Sequence, residues 1–311
     1  MVKKHYEIID FMRAILITLV ILIHIVNFGN LYPGVKSSIL AFLMPAFLLI
    51  TGYLVNINKS LKDFALYILR IFLPYTIMVL GFMILSLYLP VRNGIESFNI
   101  PTVYRVLFIT SIGPYWFFHA MIVCAVIYYF SFNVFKNLSD TAKFSIFAFL
   151  LLIVSQFTPF LSIRNAFYYF LGAGIRIYIK DFTRIYKSSF WPILPFALLI
   201  TNKSFQDWGT VSVLVCVGCF FSFISKLFNY FKGDALTIMN YIGRNTFPIY
   251  MFHPIFTMIA KFMLPIFIFD KTGILHAVIT IILSLAGSLG IGRVMDYFHL
   301  SYIFGKKRIM R

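Results

Sequence analysis

Acidic residues are scarce: the 311-residue chain holds ten Asp and Glu, and charged residues of both signs make up only 12%. A soluble chain of this length carries roughly a quarter charged residues, so an ordinary cytosolic enzyme is excluded. Cysteine is nearly absent as well. Cys124, Cys216 and Cys219 are too few for a disulfide scaffold. Cys216 and Cys219 are spaced like half of a metal site but sit in an apolar run with no second pair, so they read as buried small residues and no metal is expected. Long polar linkers, low-complexity tracts and internal repeats are also lacking, which leaves one integral membrane domain over 1–311.

What the chain has in abundance is apolar surface: 61% of its residues are hydrophobic and its mean hydropathy is +0.90. At about 20 residues per crossing, that supports nine or ten spanning helices with little left for a soluble domain. Apolar runs fall near 10–28, 37–56, 64–90, 115–135, 144–161, 165–180, 187–201, 208–229, 245–268 and 273–298. The expected fold class is therefore all-α, a polytopic membrane protein with about ten transmembrane helices. The seventh run is the weakest, being short and holding Pro192 and Pro195. Lys3 and Lys4 followed by an apolar stretch look like a cleavable signal. Asp10 and Arg13 interrupt that stretch, however, and no small-residue cleavage site follows, so it reads as a retained first helix.

The net charge of +17, from 27 Lys and Arg, requires no nucleic-acid partner once it is sorted by position. With ten crossings and a cytoplasmic N-terminus, fifteen basic residues fall in inner segments and six in outer ones, namely Lys36, Arg92, Arg105, Arg164, Lys203 and Lys271. Positive residues concentrate on the cytoplasmic side, so both termini are expected there. The remaining six, Arg13, Arg70, Arg176, Arg244, Lys261 and Arg293, lie within helical runs. A cation at membrane depth is costly unless it faces a cavity or a partner. Only Asp10 and Asp296 are near enough to pair with them, and this shortage points to an anionic ligand.

The first helix carries a polar stripe. Asp10 and Arg13 are three residues apart, and His24 follows Arg13 by eleven, about three turns plus 20°, so all three share a face. Arg13 and His24 are then about 16 Å apart along the axis, with arginine toward the inner surface and histidine in the outer half. Imidazole is suited to taking a proton from an alcohol near neutral pH, which makes His24 the candidate base. The plainer reading is a hydrogen-bonded core histidine.

With the stripe in view, further motifs line up: MPAFLLITGYL (44–54), Arg70 with Pro74 and Tyr75, PYWFFHAMI (114–122) and GRNTFPIYMFHPI (243–255). Together and in this order they resemble the acyltransferase-3 family of integral membrane acyltransferases, over essentially the whole chain. The resemblance implies transfer of an acyl group, usually acetyl from acetyl-CoA as co-substrate, to a hydroxyl of a surface polysaccharide or lipid-linked sugar at the bacterial cytoplasmic membrane, with no tightly bound cofactor. It matches Arg13, His24 and Arg70 to the family's motif residues. It also carries a departure, since members often have two arginines three apart and the earlier position here is Tyr67. No esterase-like soluble domain is appended.

On this reading Arg13, Arg70 and Arg244 suit the phosphates of CoA, because guanidinium groups match phosphate geometry. His24 acts as general base steadied by Asp10. Trp116 and His119, with Tyr53, Asn245 and His253, are the acceptor-side or supporting residues. Plainer roles stand beside these. The arginines snorkel to the inner headgroups, and Trp116 belongs to an interfacial aromatic belt. Asn245 caps the ninth helix, and His253 satisfies backbone carbonyls freed by Pro254. Two other functions fit unpaired arginines and a polar stripe: an exporter of an anionic glycan intermediate, and a non-catalytic partner in a polysaccharide assembly complex.

Overall fold

The computed structural model describes residues 2–88 and 94–311, with side chains from Glu7 onward. Arg92, placed above in an outer segment, lies outside the described residues, as do the side chains of Lys3 and Lys4. Among the described residues the regular structure is helical, with no strand.

The α-helices are α1 (Val2–His24), α2 (Val26–Leu31), α3 (Pro33–Leu54), α4 (Leu61–Tyr88), α5 (Ile100–Phe108), α6 (Trp116–Asn133) and α7 (Asp140–Phe157). They continue as α8 (Ile163–Gly174), α9 (Ile193–Thr201), α10 (Val211–Phe228), α11 (Gly233–Arg244), α12 (Thr246–Phe262) and α13 (Ile274–Tyr297). Six helical spans among the described residues are long and apolar enough to cross a membrane: Pro33–Leu54, Leu61–Tyr88, Gly113–Asn133, Asp140–Phe157, Val211–Phe228 and Ile274–Tyr297. These correspond to six of the ten apolar runs.

The other four runs fold differently, and the reasons are local. Helix α1 is long enough, but Glu7, Asp10 and Arg13 leave it no uncharged stretch of crossing length. Helix α12 stops at Phe262 after 17 residues. Helix α8 gives way at Gly174 to a π-helical turn, Ile175–Ile179. The run with two prolines keeps only the nine residues of α9, which at 1.5 Å per residue span about half a bilayer core.

The described chain groups into two compact units, 1–47 with 181–301 and 307–311, and 48–180 with 302–306. In the first, α1 packs against α10, α11, α12 and α13. Phe11, Met12, Ala14, Leu16, Ile17, Val20 and Ile21 are all buried, so most of the circumference of the helix is covered by its neighbours. Its few polar residues, half-buried, are thereby held against these helices.

The second unit is built on α6, which packs against α4, α7 and α8. Stacked rings line these contacts, including Phe64 on Tyr129 at 3.8 Å between centroids and Tyr128 on Phe147 at 4.8 Å. A Cβ added at Gly172 of α8 would lie 2.0 Å from the Leu49 carbonyl oxygen, so only glycine admits α3 this closely. Tyr75 of α4 is buried and donates its hydroxyl to the carbonyl of Leu107 at 2.8 Å. Tyr75→Phe leaves that carbonyl without its donor and is expected to cost about 1–2 kcal/mol, measured as a lower melting temperature in detergent. An unchanged melt would show that the bond contributes nothing.

Candidate active site

The first unit holds two sets of polar side chains, one at each end of the segment between Arg13 and His24 on α1. At the lower level the Asp10 carboxylate is shared by two guanidinium groups. Arg13 Nη1 donates to one oxygen at 3.2 Å and Arg244 Nε to the other at 3.3 Å. Arg13 also donates through Nη2 to the Thr246 hydroxyl. One negative charge thus faces two positive ones, and Arg244 keeps its side chain 47% exposed, open to a further anion.

The run GRNT (243–246) works here residue by residue. Gly243 ends its side of α11 directly on α1, where a Cβ would stand 1.8 Å from the Asp10 carbonyl oxygen. Arg244 then reaches the Asp10 side chain and Thr246 receives Arg13. Asn245, fully buried, turns the chain between α11 and α12 with φ −103° and ψ 26° and makes no side-chain cap bond. The expected N-cap role is therefore corrected: its amide donates to the carbonyls of Tyr241 and Arg311, and its oxygen accepts from the Arg311 N–H.

At the upper level His24 is the last residue of α1, where the chain breaks at extended Ile25 before α2 starts. The apolar run continues through this break, so nothing in the residue pattern marks it. His24 Nδ1 lies 2.6 Å from the Val20 carbonyl oxygen. A carbonyl only accepts, so Nδ1 carries the proton and the neutral ring presents Nε2 as a base.

His253 of α12 meets it edge to face, with ring centroids 5.2 Å apart. Pro254 lacks an N–H, which orphans the carbonyl of Tyr250 one turn back. His253 Nδ1 fills that position at 2.9 Å from Tyr250 O. The proline-satisfying role is thus present, and it has a chemical consequence. With Nδ1 committed, His253 Nε2 is buried and has no hydrogen-bond partner. Two imidazoles with unprotonated Nε2 atoms therefore meet at one contact.

Thr246 touches Arg13 and His253 touches His24, so α12 runs alongside α1 in the same direction. Asp10 does not reach His24. Fourteen residues of one continuous helix separate them by about 21 Å, and the group that orients His24 is the Val20 carbonyl. Asp10 instead holds the arginines. Asp296 balances none of them: its carboxylate accepts from Ser301 Oγ and from the backbone N–H groups of Ile309 and Met310. Arg293 donates to the Tyr241 hydroxyl at 3.2 Å. Reasoning from sequence missed Thr246 as a partner of Arg13, although it stands only two residues after Arg244. It also missed Lys36, counted as an outer charge, whose side chain folds back over Gly29 just beyond His24.

The remaining candidates belong to the second unit. Arg70 is exposed and donates from Nε to the Gly305 carbonyl at 3.1 Å. Tyr67, where a second arginine was expected, lies under the Lys59 ammonium at 4.3 Å. Tyr53 donates its hydroxyl to the Lys180 carbonyl at 3.0 Å and carries Arg176 over its ring at 5.6 Å. His119 stacks on Tyr75 with centroids 6.4 Å apart, and half-buried Trp116 opens α6 edge to face with Phe117.

No curated protein and no solved structure matches the chain. A family model described as an acyltransferase domain matches residues 6–293, a span that includes Asp10, Arg13, His24, Arg244, Thr246 and His253, and this multi-pass helical membrane protein accordingly belongs to the acyltransferase-3 family.

Proposed function

We propose that the protein is an acyl-CoA-dependent O-acetyltransferase of the bacterial cytoplasmic membrane, moving acetyl from acetyl-CoA to a sugar hydroxyl of a surface polysaccharide or a lipid-linked glycan. One observation carries this reading: guanidinium groups in excess of their carboxylate lie at one level of α1, and two histidines with unprotonated Nε2 atoms lie about 16 Å further along it. That separation is comparable to the extended pantetheine arm joining the phosphates of CoA to its thioester. Phosphates at Arg13 and Arg244 put the acetyl carbonyl beside His24.

The chemistry then needs one base. His24 Nε2 takes the proton of the acceptor hydroxyl while its oxygen forms a bond to the acetyl carbon. The carbon–sulfur bond breaks, and the CoA sulfur leaves with the proton that His24 returns. His253 supports the same buried position with its own unpaired nitrogen.

The arginine level faces the cytoplasm and the histidine level the outer half of the bilayer. Ten crossings with both termini cytoplasmic follow from the charge distribution. The parallel course of α1 and α12 supports that count, because the first and ninth of ten crossings run the same way. The acceptor is tested by mass spectrometry of surface glycans from cells lacking the protein and from cells given it back. Restoration of one acetyl mass per modified unit is the expected result. Glycans identical in both strains would overturn the glycan acceptor.

A further inference from the structure

The C-terminal segment is fastened to the first unit in a way that its sequence, a short basic stretch, does not suggest. A carboxylate in the last turn of a helix opposes the helix dipole, yet Asp296 stands there in α13. Its oxygens take the N–H groups of Ile309 at 2.7 Å and Met310 at 3.0 Å. Ile309 is buried, and Met310 fills the notch at Gly292, where a Cβ would meet its sulfur at 2.6 Å.

Arg311 is then clamped at its backbone by both ends of the Asn245 side chain, N–H to Oδ1 at 2.7 Å and carbonyl to Nδ2 at 3.1 Å. Asn245 sits between the two residues that hold the lower level together, Arg244 on Asp10 and Thr246 on Arg13. The clamp therefore holds the Arg311 backbone at the turn that carries both of these contacts. Arginines from three parts of the chain are thus gathered at the Asn245 turn, and the backbone bonds of the segment hold the third one there.

We infer that residues 307–311 form part of the donor site, with Arg311 as a third phosphate-binding guanidinium positioned by the Asn245 clamp and the Asp296 anchor. Asn245 and Asp296 are positioning residues. They touch the backbone of the segment and act through it. The inference rests on the acyl-CoA reading above and adds to it a ligand contact from a stretch that lies beyond the family match. An anion carrying several phosphate charges complements arginines gathered in this way, and planar guanidinium forks suit that anion better than ammonium groups do.

The test is calorimetric titration of CoA into the purified full-length protein in detergent, for the wild type and for Arg311→Ala, Arg311→Lys and Arg244→Ala, with a thermal melt of each variant. Arg311 is exposed, so its variants are expected to melt as the wild type does. Arg311→Ala is expected to weaken CoA binding about tenfold, the size of a lost charge-assisted bond, with a shallower dependence on salt. Arg311→Lys is expected to recover only part of the loss. In turnover assays the same variant raises the KM for acetyl-CoA more than it lowers kcat, and leaves the KM for the acceptor alone.

CoA affinity within twofold of wild type for Arg311→Ala, together with a loss for Arg244→Ala, would overturn the inference and leave the donor reading standing. If neither variant changed CoA affinity, the donor reading itself would fail and the inference with it.

Discussion

His24→Ala is expected to lower acetyl transfer by about 10²- to 10⁴-fold, the range that a positioned general base supplies. CoA binding should persist, because the phosphate-binding groups lie about 16 Å away along α1. His24→Gln is the sharper variant. Its amide N–H replaces the bond to the Val20 carbonyl and its volume fills much of the space beside His253, but no atom of the side chain takes up a proton at neutral pH. It is therefore expected to melt near the wild type and still lose most activity. Turnover by the purified variants with labelled acetyl-CoA measures the effect, and either variant working within threefold of wild type would sink the role assigned to His24.

Gly243→Ala is expected to damage the fold and the site together. The added Cβ would lie 1.8 Å from the Asp10 carbonyl oxygen and 2.4 Å from its carbon. Both atoms belong to the backbone of α1, so no rotamer change relieves the clash. Ordinary contact requires α11 to withdraw by more than about 1 Å. Such a shift takes Arg244 out of reach of Asp10, to which it now bonds at 3.3 Å. The expected cost is about 3 kcal/mol, the upper end of the overpacking range, together with a loss of CoA affinity, although no charged group has been removed. Thermal melts and CoA titration report the two effects. A variant that melts and binds as the wild type does would mean that the α1–α11 contact does not organise the arginines.

The correction at Asp10 bears on both predictions. Asp10, Arg13 and His24 were placed on one face of one helix, and α1 is indeed continuous from Val2 to His24. Sharing a stripe at positions fourteen apart means lying in line, not in contact. The carboxylate therefore serves the arginine level, and a backbone carbonyl sets the tautomer of His24. The proline at 254 does for His253 what the helix end does for His24.

What the sequence alone determined about this protein is what depends on neighbours along the chain. Apolar runs set its membrane character, the 3.6-residue period set the stripe on α1, and the order of short motifs set the family. Runs report the tendency of residues to be buried, however, and not where a helix starts or stops, so the break after His24 and the shortness of α8 and α12 were hidden, whereas Pro192 and Pro195 already marked the run of α9 as the weakest. Helix α11 was hidden as well, because its residues alternate polar and apolar and leave no run. The partners were beyond reach for a different reason. Arg13 meets Thr246 across 233 positions, and Tyr53, Arg70 and Asn245 bond backbone atoms of remote segments. A side chain's identity states what it is able to bond. Which carbonyl or carboxylate it meets is decided by packing, and only the tertiary structure turned Arg311 from one more orienting charge into a residue clamped by Asn245 beside the arginine level.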